Sequence, residues 1–340
     1  MIEVAIVGGG PAGAYCAYKL AENGIYPTIF DHSHPREKPC GGIISPLAQE
    51  LFPFLKKLPI KHIKRTRMYL TSPLGRKVTV NIRRGQIICV SRLSFDQFIL
   101  NKAMEKGAEL LKEKVVDLEV KKGAWKIKTD KGYHYAKILV GADGINSIVR
   151  QRITKALNPE DKGVCYGYFV EGLEDEDIHF YFLAHRNGYL WVIPRKENTS
   201  VGVGCTEISN VKGLKRELEN FIAKYYPYIK KLRRWAALVP NIKNVKTLST
   251  SVSGKNWILI GDAAGHANPI LGEGIPYAML DGELAAYAIL QNNPSSFDLL
   301  WRKAYGLNLL MDIKLRKYIY NKQILEFYCE YLKFCGILYY

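Results

Sequence analysis

Residues 1–7 open the chain with an apolar run, interrupted only by Glu3, that reads as a short buried strand. Residues 11–23 carry helical spacing and residues 26–31 a second strand, so the N-terminus reads as a βαβ unit. Strand-type runs fill residues 65–90, and residues 91–106 read as a helix. Between Ala108 and Tyr135, three strand-like runs separated by Lys-Lys-Gly and Asp-Lys-Gly predict an antiparallel meander. Residues 137–144 form a buried strand ending in a glycine turn. Strand signals dominate 163–205, most clearly as a hairpin of 188–195 and 199–205. A helix is predicted over 212–225, a buried strand over 257–261, and a helix from Ile275 to about Gln291. Residues 295–340 keep a helical period and are rich in aromatic and basic residues.

The strand runs near residues 5, 29, 139 and 259 suit one parallel sheet, so the chain is expected to be α/β with a Rossmann-like domain assembled from separated segments. The expected division is 1–60, 85–160 and 250–295 for the dinucleotide domain. Residues 61–84 and 161–249 form an inserted, antiparallel-sheet substrate domain, and 296–340 the C-terminal helices.

Composition changes this picture little. With 48% hydrophobic and 24% charged residues over 340 positions, the chain is neither disordered nor fibrous. Its 49 Lys and Arg against 32 acids give +17, which favours anionic partners. The basic runs at 61–67 and 230–234 come without a nucleic-acid-binding motif, so nucleic acid is not expected as a partner. Seven scattered cysteines have no metal-ligand spacing, so no metal site is expected and a reducing cytoplasm is the simplest setting. No apolar run reaches the roughly 18–20 residues that span a bilayer. A cytoplasmic protein, with peripheral membrane contact left open, is the expectation.

Gly8-Gly-Gly10-Pro-Ala12-Gly13 fits G-x-G-x-x-G between the first strand and the first helix. Gly8 allows the tight turn, Gly10 lets a pyrophosphate approach the backbone, and Gly13 lets helix and strand pack closely. The helix N-terminus then offers free N–H groups to the anion. Asp31 ends the second strand, where a carboxylate accepts from ribose hydroxyls and disfavours a 2′-phosphate. The site therefore suits FAD or NAD.

The choice of FAD rests on resemblance. The GGGPAG opening, residues 137–144 with their Asp-Gly, and Ile260-Gly-Asp262-Ala-Ala264 resemble the flavoprotein monooxygenase and reductase superfamily, with its p-hydroxybenzoate hydroxylase/glutathione reductase-2 type of fold. Within it, Lys38-Pro-Cys40-Gly41-Gly42, Ser91-Arg92-Leu-Ser-Phe95-Asp96, and Gly188-Tyr189-Leu-Trp191-Val-Ile-Pro194 followed by Val201-Gly202-Val203-Gly204 resemble the geranylgeranyl reductase family. The resemblance implies an FAD-dependent enzyme that saturates C=C bonds of an isoprenoid lipid, in an archaeal-type lipid or a prenyl tail. It implies cofactor contacts at Gly41, Gly42, Arg92, Val115, Asp262, Gly272, Gly274 and Ile275. The helix from Ile275 would aim its positive end at the flavin. Two departures are the loop Gly272-Glu273-Gly274, where a third glycine is usual, and the short C-terminal part.

Alternate strand positions share a face, so Tyr189, Trp191 and Ile193 line one side of the hairpin while Gly202 and Gly204 leave a bare patch on its partner. Together with Pro194 they are the expected slot for a long apolar chain; ordinary core packing is the other reading. Cys40 is the candidate catalytic residue, as proton donor or pocket-shaping group, against a small buried filler. His266 reads as a proton relay or, with more weight, as a loop brace. A hydride must come from reduced flavin. With no second G-x-G-x-x-G, an external donor is expected, NAD(P)H or a ferredoxin-like protein. Residues 301–340 carry ten aromatics and seven Lys or Arg, suited to an anionic membrane surface or to packing with a solvated basic face. Two rivals remain open. One is an FAD-dependent monooxygenase or halogenase on an apolar substrate. The other is a non-catalytic flavoprotein that binds prenyl lipids.

Overall fold

The computed structural model describes residues 1–207, 211–335 and 337–338. Tyr339 and Tyr340, counted above among the C-terminal aromatics, lie outside them. The chain forms two compact units.

The first unit comprises Met1–Arg36, Phe95–Asp161 and Pro240–Ile313. Its sheet runs in the order Ser253–Gly254, Trp257–Leu259, Tyr133–Gly141, Ile2–Val7, Thr28–Phe30 and Glu109–Leu111. The four expected strands pair in parallel, with Val7 opposite Gly141 on one side and Phe30 on the other. Val4, Ala5 and Ile6 are fully buried, as a parallel strand covered on both faces requires. The predicted meander is present: Val115–Lys121 and Ala124–Thr129 pair antiparallel with each other and onto Tyr133–Gly141.

Pro11 opens the Pro11–Glu22 helix with its fixed φ, and the small residues Ala12, Gly13 and Ala14 bury its first turn. This helix lies against the Ile275–Leu290 helix at backbone distance. A Cβ on Gly282 would stand 2.6 Å from the Ala12 carbonyl oxygen and 2.9 Å from the Cys16 nitrogen.

The second unit comprises Glu37–Ser94, Lys162–Val239 and Lys314–Tyr340. Its main sheet contains the predicted hairpin, Gly188–Pro194 with Thr199–Cys205, flanked by Lys162–Glu171 and Ile178–Phe182. Arg67–Thr71 joins Ile178–Phe182 in parallel because the two come from separated segments rather than from a hairpin. Alternation divides the hairpin's side chains. Leu190, Val192, Val201 and Val203 pack on Leu214, Leu218, Phe221 and Ile222 of the Val211–Tyr225 helix, whose i, i+4, i+7, i+8 spacing forms one stripe. Trp191 and Ile193 face the other way, into a cluster with Phe169, Trp235, Ile87, Cys89 and Leu332.

Residues 37–60 and 85–94, expected in the dinucleotide domain, belong to this second unit. Ile43–Ile44 and His62–Arg65 both pair antiparallel with Ile87–Val90 in a three-stranded sheet, a long-range association that local periodicity does not reveal. The C-terminal helices divide as well: residues through Ile313 pack in the first unit and those from Lys314 in the second.

In an open helix Gly→Ala stabilises by about 1 kcal/mol. At Gly282 the new methyl meets backbone, so Gly282→Ala is expected to destabilise the protein by about 1–3 kcal/mol in urea unfolding. A neutral or stabilising result would contradict this account of the helix contact.

Candidate functional site: a dinucleotide cradle and an aromatic sheet

The glycine loop of the first unit has the form its spacing predicts. Gly8 sits at φ +105°, and a Cβ there would lie 2.3 Å from the Ala142 carbonyl oxygen. A Cβ on Gly13 would lie 2.0 Å from the Gly8 oxygen, whereas Gly10 has no atom within 4 Å of that position. Gly10 caps the helix with no side chain, leaving the first-turn N–H groups open to an anion. The cradle is thus closed where protein packs and open where a pyrophosphate would approach.

Asp31 is buried at the end of its strand. Its Oδ2 accepts the Gly9 N–H at 2.8 Å, and its Oδ1 accepts the Ser33 N–H at 2.8 Å and hydroxyl at 2.6 Å. A carboxylate has about four acceptor positions, so one remains for a ribose hydroxyl. Burial pushes its pKa up, but the Ser33 and Gly9 hydrogen bonds and nearby His34 outweigh it and hold the carboxyl below its usual range.

Asp262 lies in the single turn Gly261–Ala263, and a Cβ on Gly261 would stand 3.1 Å from that of Ala12. The glycine loop and the Gly-Asp turn are therefore neighbours. Gly272 and Gly274 follow in a loop ordered by Asn268, whose Oδ1 accepts the Ile270 and Leu271 N–H groups at 2.9 and 2.8 Å. Gly274 lies beside Asp262, 3.5 Å from its Oδ1 at the position a Cβ would take, and caps the Ile275–Leu290 helix without a side chain. Ile275 is the buried first residue of that helix. Val115 is buried at the start of the Val115–Lys121 strand. His266 is 1% exposed and hydrogen-bonds through Nδ1 to Asp281 Oδ2 and the Tyr305 hydroxyl, both at 2.8 Å. This is the geometry of a loop brace.

The remaining predicted residues lie in the second unit. Cys40 is half-buried, its Sγ accepts the Gly42 N–H at 3.3 Å, and its carbonyl accepts the Ser200 hydroxyl at 3.3 Å. The Cys40 loop rests on the hairpin: a Cβ on Gly41 would meet Ile193 at 2.5 Å, and one on Gly42 the Val90 carbonyl at 2.0 Å. Glu37 anchors the same loop. It accepts from Arg195 Nη1 at 2.8 Å, from the Arg92 N–H at 3.0 Å and from the Ser91 hydroxyl, so one half-buried carboxylate ties loop, hairpin and the Arg92–Glu105 helix start together. The Arg92 side chain is buried there.

The bare patch expected over Gly202 and Gly204 is filled. A Cβ on Gly202 would stand 2.4 Å from the Trp191 indole and 3.0 Å from that of Trp235, and one on Gly204 3.1 Å from the Cys165 sulfur. Trp191 and Trp235 stack at 5.9 Å and 21°, so the glycines seat two indoles instead of lining an open slot. Pro194 is buried at the strand end opposite Thr199. Tyr189 is half-buried, edge-on to Phe180 and Phe182, and this trio is the accessible aromatic margin of the sheet.

Sequence reasoning missed Glu37, Arg150, Arg195, Trp235, Asp281 and Tyr305. Asp281 alone carried a signal, as an acid inside the otherwise apolar run from Ile275 to Gly282. Among the described residues, no His, Cys, Asp and Glu side chains assemble as a metal site.

Comparison with known proteins agrees with this layout. The family model for an NAD(P)-binding Rossmann-like domain matches residues 6–42. An uncharacterized protein of Methanosarcina barkeri is 31% identical, covering 93% of this chain and 82% of its own. The geranylgeranyl diphosphate reductase of Rhodobacter capsulatus is 29% identical, covering 84% of this chain and 74% of its own. The chain belongs to the geranylgeranyl reductase family. A geranylgeranyl bacteriochlorophyll reductase-like protein from Thermoplasma acidophilum shares the fold, with a TM-score of 0.84 at 21% identity over 98% of this chain and 91% of that one. FAD is accordingly the dinucleotide of this family member, and the open Gly10 cradle and Asp31 fit it.

Because its folded pKa is lowered, Asp31 contributes stability above the ordinary carboxylate pKa near 4, and this is lost as pH falls through the lower folded value. Wild type and Asp31→Asn, unfolded in urea from pH 7 to pH 3, are expected to differ by a constant amount down to about pH 5 and to converge below about pH 4. A difference that persists unchanged in acid would contradict the assignment.

Proposed function

We propose that the protein is an FAD-dependent oxidoreductase that saturates C=C bonds of a geranylgeranyl chain carried by a membrane lipid or prenyl tail. The observation that carries this reading is the presence, in one member of the geranylgeranyl reductase family, of a flavin-type cradle and an aromatic apolar sheet. An isolated trisubstituted alkene is unactivated, so hydride must reach one carbon as a proton reaches the other. Reduced FAD, when bound, supplies the hydride that no side chain can deliver.

The protein's own residues orient, desolvate and protonate. The Gly10 cradle and Asp31 hold the dinucleotide, and Asp262 the chain beyond it. The Tyr189, Phe180 and Phe182 margin takes the hydrocarbon. Tyr189, Trp191, Pro194, Gly202 and Gly204 act together here, the last two by seating the indoles that shape the wall. Cys40, held by Gly42 and Ser200 beside Ile193, is the group proposed to give the proton or shape the pocket. Electrons arrive from NAD(P)H or a ferredoxin-like protein.

The test is anaerobic. Dithionite-reduced protein mixed with geranylgeranyl diphosphate, and separately with a digeranylgeranyl glycerolipid, is expected to add one hydrogen molecule per bond by mass spectrometry. The arm that reacts identifies the headgroup. Asp262→Ala is expected to bind FAD at least about tenfold more weakly and to fail in both arms. No gain with any prenyl substrate would overturn the reading, and oxygenated or halogenated products in air would favour the rival class.

A membrane surface is the proposed source of substrate. No helix among the described residues is long and apolar enough to cross a membrane. The Lys322–Cys335 helix buries Leu325, Cys329 and Leu332 and leaves Ile324, Phe327, Tyr328 and Tyr331 exposed along the adjoining flank, with Lys322 at its start. Such an apolar stripe with a base at its start suits an interfacial helix on anionic lipid. Phe327→Ser with Tyr331→Ser is expected to lower co-sedimentation with phosphatidylglycerol vesicles severalfold while leaving reduction of a detergent-dispersed substrate unchanged. Equal co-sedimentation of both proteins would remove this helix from the proposal.

A further inference from the structure

Three segments of the first unit converge on the Gly-Asp turn. Asp281, with no exposed surface, reaches it from the Ile275–Leu290 helix, and its Oδ2 accepts both the Gly261 N–H and the His266 Nδ1–H at 2.8 Å. Its Oδ1 accepts the Tyr305 hydroxyl. Burial first, and the Asp281 charge second, push the Tyr305 pKa far above its usual value, so the hydroxyl stays a donor. From the opposite side the buried Arg150 guanidinium donates through Nη1 to the carbonyls of Ala263 and Ala264 at 3.0 and 3.2 Å. A carboxylate thus takes the turn's first N–H and a guanidinium two of its C=O groups. In a dry interior each would be expensive to leave unpaired.

Tyr305 arrives by an irregular route. The helical run after Phe297 contains a π-turn at Arg302–Gly306, a rare insertion often found where a helix serves a site. Trp301, one turn earlier, packs on the His266 ring at 4.3 Å. The π-turn therefore delivers a hydroxyl to a carboxylate that already has two other donors.

We infer that Asp281 and Tyr305 are positioning residues for the cofactor: through Gly261 and His266 they set the turn that presents Asp262, and flavin affinity depends on them although neither contacts the dinucleotide. This rests on the FAD reading above. Asp262 follows Gly261 directly, and its neighbours on both sides, Gly261 and Ala263, are the anchored backbone groups. Loosening one anchor lets the turn sample conformations in which Asp262 is misaligned, and FAD then binds only the competent fraction.

Tyr305→Phe keeps the ring contacts and removes one donor. Asp281→Asn keeps the volume but turns an amide toward donors. FAD dissociation constants, measured by flavin fluorescence on folded apoprotein, are expected to rise about 5- to 50-fold in each variant. Hydrogen exchange of the Gly261–Ala267 amides in the apoprotein is expected to accelerate while the Val4–Val7 strand amides keep their rates. A lowered melting temperature with FAD affinity within twofold of wild type, or unchanged exchange in the turn, would overturn the inference and leave a structural network only. If Asp281→Asn fails to fold, Tyr305→Phe decides alone. If wild type takes up no FAD, the cofactor reading fails separately, and the exchange rates still decide whether Tyr305 and Asp281 brace the turn.

Discussion

Backbone meeting backbone without a side chain between is the constraint on which the first unit depends. The Pro11–Glu22 helix touches the strand turn at Gly8 and Gly13 and the Ile275–Leu290 helix at Gly282, at distances that exclude a methyl group. Those contacts fix where the helix begins, and its start is the anion site. They also bring Ala12 against Gly261, so the two nucleotide motifs, far apart in sequence, are registered through a single methyl-sized contact. The rest of the unit preserves this spacing: a parallel sheet buried on both faces beneath it, and buried charges that grip the Gly-Asp turn on either side.

The second unit uses glycine differently. Gly202 and Gly204 make room for rings, and Gly41 lets the Cys40 loop lie on Ile193. Aromatic packing there is dense but not sealed, since Tyr189, Phe180 and Phe182 keep part of their surface at the margin. Charge enters this apolar region in the Arg195–Glu37 pair, whose guanidinium also lies over Phe169 at 4.2 Å. The pair joins loop, hairpin and helix start through the three donors that Glu37 accepts. It thereby gives a half-buried thiol a fixed address.

How much of this could be read in advance follows from the range of the interactions. The βαβ unit, Asp31, the Gly-Asp turn and the Gly188–Pro194 hairpin are written in local spacing, and each is where the pattern puts it. The face shared by Tyr189, Trp191 and Ile193 was equally legible from alternation. What fills the space over Gly202 was not, because Trp235 comes from another strand behind a run of basic residues that reads as plain surface. Residues 37–60 followed the same logic: their partners lie at Ile87–Val90, and no local signal announces that pairing. Arg150, Asp281 and Tyr305 stand on three helical segments far apart in sequence and are joined only once the first unit has folded.

In a prenyl reductase of this kind, electrons held by bound flavin pass to a prenyl double bond. Single turnover without oxygen reports this transfer, by the return of the oxidised flavin's yellow colour after a geranylgeranyl lipid is added to reduced protein. Reoxidation is expected in step with saturated product, one bond per flavin. Flavin that stays reduced in the presence of every prenyl lipid, or that reoxidises without forming a saturated bond, would contradict it.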